Sequence, residues 1–171
     1  GYACIVVNDG SSPSCESIFS ALEAIPTVTI LKHAVNLGKG QALKTAFNYY
    51  LNHFSQTGVG VVTADADGQH QVDDIIRVSN QLKVAPSQLW LGVREFDGVV
   101  PLRSAFGNSL TRKVFQFFTG QKISDTQTGL RGIPNNFLKT LLKVSSNGYE
   151  FELEMLIKAG HSHIPIAELP I

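Results

Sequence analysis

Short apolar runs rich in β-branched residues alternate along this chain with longer stretches whose apolar positions recur at helical spacing. Residues 2–7 form the first such run, and Asn8-Asp9-Gly10-Ser11-Ser12 closes it with turn and helix-capping residues. The pattern then predicts a helix over 14–24, stopped near Pro26, and a strand over 28–31. A helix follows over 40–54, with Ala42, Leu43, Ala46, Phe47 and Tyr50 on one face. Strands over 60–64 and 89–93 flank a helix over 72–84. Beyond them the pattern predicts a helix over 102–119, a polar loop over 120–132, helices over 135–144 and 150–159, and a final strand over 164–169. Repeated strand–helix units predict an α/β fold: a mainly parallel sheet covered by helices, with its sites at the carboxyl ends of the strands. No linker, repeat or low-complexity stretch divides the 171 residues, so the whole of 1–171 is expected to be one domain.

Composition narrows the partners. Lys plus Arg (14) balance Asp plus Glu (14), so no global field draws the chain to nucleic acid or to an anionic membrane. Hydrophobic residues at 43% and charged residues at 16% are a globular mixture that argues against disorder. Cys4 and Cys15 have no disulfide or metal-knuckle spacing, which favours a reduced, cytoplasmic setting. No apolar run approaches the ~20 residues that span a bilayer, and any membrane contact is expected to be peripheral.

The sharpest chemical signal is Asp65-Ala66-Asp67 after the strand Val61-Val62-Thr63-Ala64. Two carboxylates flanking one small residue at a strand end suit a hard divalent ion, Mg²⁺ or Mn²⁺, that keeps positions open for phosphates. Gln69 and His70 follow closely enough to complete the shell or to bond a sugar; the plainer alternative is a solvated acidic turn. Asp9, with Gly10 and Ser11, suits a base or ribose, or else simply caps a helix. Asn36-Leu37-Gly38-Lys39-Gly40 offers glycine-permitted turns and one lysine near a helix N-terminus, where it can face a phosphate, but it is not a Walker loop. The polar stretch 124–132 contains Asp125, a candidate base, and Arg131, a candidate phosphate clamp. Arg94 ends the fourth strand and Arg103 opens the next helix, so both can face the same cleft, or else form surface ion pairs. Of Glu150, Glu152 and Glu154, at most two can point inward from one helix. Residues 102–119 mix phenylalanines with Arg112 and Lys113, either a core helix or an interfacial one.

Six motifs in order, from Val7-Asn8-Asp9-Gly10-Ser11-Ser12 and Asn36-Leu37-Gly38-Lys39-Gly40 through Asp65-Ala66-Asp67-Gly68-Gln69-His70, Gly92-Val93-Arg94 and 124–131 to Tyr149-Glu150-Phe151-Glu152, resemble those of the family-two inverting glycosyltransferases of the GT-A fold. More narrowly they are similar to the dolichyl- and polyprenyl-phosphate glycosyltransferases. The resemblance implies that Asp9 lies at the nucleotide base and ribose, that Asp65 and Asp67 hold the metal and diphosphate with Gln69 beside them, and that Arg94 and Arg131 approach the donor or acceptor phosphate. Asp125 then sits near the sugar. The implied reaction moves a hexose from a GDP- or UDP-sugar to a lipid phosphate with inversion. Family members begin with a further strand that contributes to base binding, and the chain starts after it, so it is expected to be a fragment. Two other readings compete: the same fold acting on a hydroxyl acceptor, with Asp125 as base, or a non-catalytic nucleotide-sugar-binding module.

Overall fold

Ile5, Val6 and Val7 favour extended backbone, and Cys4–Asp9 forms β1. The computed structural model describes residues 2–93, 123, 126 and 128–171. After a short 3₁₀ turn, Pro13–Cys15, the chain runs through α1 (Glu16–Glu23), β2 (Val28–His33), α2 (Lys39–His53), β3 (Gly60–Thr63), α3 (Val72–Val84) and β4 (Leu89–Val93). It resumes with β5 (Arg131–Pro134), α4 (Asn135–Leu141), α5 (Glu150–His161) and β6 (Ile166–Pro170). The expected helix over 102–119, with Arg94, Arg103 and Asp125, lies outside the described residues.

The sheet departs from the mainly parallel expectation. β1 and β2 pair in parallel, Cys4 opposite Val28. The other four strands form a mixed sheet in the order β3-β5-β4-β6. β4 and β6 are parallel, but β5 is antiparallel to both β3 and β4. β5 was expected to be loop and helix lead-in, since Arg131-Gly132-Ile133-Pro134 is a poor strand sequence by composition. Its neighbours supply ladders on both sides, and all four residues are buried. Because β5 runs against its neighbours, the residues leading into it emerge beside the carboxyl ends of β3 and β4. Thr63 donates its hydroxyl to the Gly129 carbonyl at 2.9 Å, and Thr128 donates to that of Gly92 at 2.6 Å.

α4 and α5 bury Phe137, Leu138, Leu141, Phe151, Met155, Leu156 and Ala159 with Leu89 and Leu91 of β4 and Phe47 of α2. Each such leucine or phenylalanine contributes about 1.5–3 kcal/mol on leaving water. α2 and α5 approach closely at Gly40, where an added Cβ would stand 2.6 Å from the Phe151 Cβ and 2.9 Å from the Asn147 carbonyl carbon. That approach sets the start of α2 against the start of α5. Lys44, one turn further on, is buried, and its ammonium donates to the Val144 and Ser146 carbonyls and the Asn147 side chain. Among the described residues no helix is long and apolar enough to cross a membrane.

Candidate active site

Three loops, at the carboxyl ends of β1, β2 and β3, meet the segment leading into β5 and the first turn of α5. Asp9 ends β1 and organises the first two. Its Oδ1 accepts the Leu37 amide at 2.9 Å and lies 2.6 Å from the His33 Nδ1; its Oδ2 accepts the Gly38 amide at 2.9 Å. The His33 Nε2 lies 2.9 Å from the Thr45 hydroxyl on α2. Asp9, expected at the nucleotide, ties loop 36–38 to β1 in this structure. Gly10, at φ +67°, packs against the backbone of Val35 and Asn36, where a Cβ would collide with the chain. The Ser11 amide donates to the buried Asn8 side chain at 2.9 Å.

Burial alone would push the Asp9 carboxyl up, but the Leu37 amide, the His33 ring and the Gly38 amide together hold it below the usual carboxylate range. A carboxyl depressed in the folded state contributes stability above its unfolded pKa of about 3.9 and loses that contribution as pH falls through the folded value. Asp9→Asn is therefore expected to flatten the fall in melting temperature below about pH 4. Thermal unfolding at a series of pH values checks this; parallel acid limbs would remove Asp9 from the balance.

The third loop follows β3. Asp65 is one-third exposed, and its Oδ1 lies 2.7 Å from the Lys39 ammonium. Lys39 also donates to the Glu152 Oε2 at 3.0 Å, so one ammonium bridges two carboxylates. Burial lowers the Lys39 pKa, but hydrogen bonds to Asp65 and Glu152, together with their charges, outweigh it and leave the group raised. The Asp65 carboxylate packs over Gly129, where a Cβ would overlap it. His70 is 4% exposed; its Nε2 lies 3.8 Å from the Asp65 Oδ2, and its Nδ1 has no partner among the described residues. Asp67 is exposed, its Oδ1 accepting the Gln69 amide at 3.0 Å, and the Gln69 side chain is exposed too. Among the described residues no atom lies within 4 Å of a Cβ built on Gly68, at the tip of this turn.

Among the described residues no three His, Cys, Asp or Glu side chains converge on one point. Two carboxylates beside this turn fit a hard ion that completes its shell with water and phosphate oxygens, and they do not fit a closed structural metal.

Arg131 was expected to clamp a phosphate. Its side chain is fully buried, and the guanidinium donates to the carbonyls of Thr128, Glu152 and Thr126 at 2.8, 2.6 and 3.2 Å. It braces the floor of the site and joins the β5 lead-in to α5. Of the three α5 glutamates, Glu152 is the buried one, while Glu150 is exposed and accepts the Gly148 amide. The sequence reading missed the Lys39–Glu152 bridge, whose partners are 113 positions apart.

The family model described as "Glycosyl transferase family 2" matches residues 1–142. The chain is 30% identical to a UDP-N-acetylglucosamine–dolichyl-phosphate N-acetylglucosaminyltransferase of Methanococcus voltae, over 98% of this chain and 72% of that protein. It is 27% identical to human dolichyl-phosphate beta-glucosyltransferase, over 99% of this chain and 55% of that one. The solved structure of glucosyl-3-phosphoglycerate synthase from Mycobacterium tuberculosis superposes with a TM-score of 0.68 at 16% identity, over 97% of this chain and 57% of that chain, a likeness of fold. The chain thus spans little more than half the length of the human relative and of the solved structure.

Proposed function

The chain belongs to glycosyl transferase family 2, and from that premise we propose that it is the catalytic domain of an enzyme that moves a hexose from a nucleotide-diphosphate sugar to a polyprenyl or dolichyl phosphate, with inversion. The observation that carries this is the turn after β3, where Asp65 pairs with Lys39 at the meeting point of the three loops and Asp67 stands exposed two residues further on. The relatives' names support the lipid-phosphate acceptor.

Asp65 and Asp67 would hold Mg²⁺ or Mn²⁺, with Gln69 beside them; when bound, such an ion neutralises charge developing on the departing diphosphate. Asp9 and Ser11 order the loops that receive the nucleotide, and Lys39 meets the diphosphate. A phosphate monoester has its second pKa at about 6, so near neutral pH the acceptor is already anionic and attacks without a strong base. Charge complementarity then matters more than proton removal. The working site faces the cytoplasm at a membrane surface, with GDP or UDP as the leaving nucleotide.

The full-length protein, given labelled GDP- and UDP-sugars with Mn²⁺, is expected to label polyprenyl phosphate in preference to free sugars or peptides. Label appearing only on a hydroxyl acceptor would replace this reading with one that needs a base.

A further inference from the structure

We propose that Lys39 is a resident counter-ion that occupies Asp65 until a divalent ion binds and is then passed to the donor's diphosphate, so that ion and nucleotide bind cooperatively through this one side chain. This deepens the glycosyl-transfer reading above and rests on it.

The geometry begins at the two oxygens of Asp65. Oδ2 lies over the Gly129 backbone, with the buried His70 ring on the same oxygen. Oδ1 is held by the Lys39 ammonium at 2.7 Å. A hard ion bonds a carboxylate oxygen at about 2.0–2.2 Å, too close for it to share that oxygen comfortably with an ammonium of like charge. Lys39 must therefore give up Oδ1, or weaken its hold there, before a divalent ion can use it.

Lys39 has somewhere to go. Glu152, in the first turn of α5 and nearly buried, holds the same ammonium at 3.0 Å and keeps it in the site. An ammonium has three N–H donors, so release from Asp65 frees one while Glu152 retains another. Lys39 is also the first residue of α2, where the helix dipole adds positive partial charge. A diphosphate arriving with the ion would meet a lysine that has just lost a carboxylate partner. Without the diphosphate, the ion must displace Lys39 with nothing gained in return. Weak binding of the bare ion and strong binding of the ion–nucleotide pair follow from that asymmetry.

Mn²⁺ binding can be followed by electron paramagnetic resonance of the free ion, with and without GDP or UDP. In Lys39→Gln the bare ion is expected to bind about tenfold more tightly than in the native protein, while the enhancement by nucleotide shrinks about tenfold, within the usual range of coupling between sites. In Glu152→Gln, which keeps Lys39 but removes its second anchor, the bare ion is expected to bind several-fold more weakly, because Lys39 then commits to Asp65. Bare-ion affinity unchanged in both variants would overturn the exchange, yet leave glycosyl transfer standing if the native protein still binds nucleotide in an ion-dependent way. A native protein with no ion-dependent nucleotide binding would sink both.

Discussion

Arg131→Met is expected to lose about 3–5 kcal/mol of folding stability, a large share of the roughly 5–15 kcal/mol that holds a domain together. The guanidinium is fully buried and satisfies the carbonyls of Thr128, Glu152 and Thr126. Methionine nearly matches its volume but donates nothing, so three buried acceptors lose their donor at about 1–3 kcal/mol each before relaxation. Arg131→Lys keeps the charge without the planar fork and is expected to recover only part of the loss. Urea unfolding of the three proteins checks the order. If Arg131→Met unfolds at the native midpoint while its affinity for nucleoside diphosphate collapses, the arginine serves a phosphate rather than the fold.

Asp65→Asn and Asp67→Asn are each expected to lower sugar transfer by about 10²–10³-fold, the scale seen when a group stabilising developing charge is removed. The two should differ in stability. Among the described residues Asp67 is exposed and bonds locally, to the Gln69 amide, whereas Asp65 partners Lys39, so Asp65→Asn removes one of the two carboxylates that hold the ammonium. Calorimetric titration of GDP or UDP with Mn²⁺ separates binding from folding. An unchanged affinity in Asp67→Asn would remove that residue from the ion site.

The helix Val72–Val84 and the strand Leu89–Val93 are legible in the sequence because Pro86-Ser87 separates two unambiguous periodicities. β5 is not legible. Arginine, glycine and proline fill three of its four places, and the strand forms because two neighbouring strands need a partner there. The burial of Arg131 is not legible for a related reason: a fully buried arginine is rare, and the carbonyls that hold it come from the β5 lead-in and from α5, which no local pattern joins. The Asp65–Asp67 turn is visible from its strand-end position alone. The other partners of Asp65 and Asp9, namely Lys39 and His33, are chosen by tertiary contact, and spacing along the chain says nothing of them.

The pairing of β4 carries a cost during synthesis. Leu89-Trp90-Leu91-Gly92-Val93 receives its neighbours only from Arg131–Pro134 and Ile166–Pro170, much later in the chain. At roughly 5–20 residues per second, the stretch from Val93 to Ile166 takes on the order of 4–15 s to leave the ribosome's catalytic centre. Until Arg131–Pro134 is made both hydrogen-bonding edges of this apolar ribbon are unmatched, and one stays so until Ile166–Pro170 follows, the kind of segment that pairs with another copy of itself or is caught by a chaperone. A slower passage through this half of the message lengthens the time that the strand stays exposed.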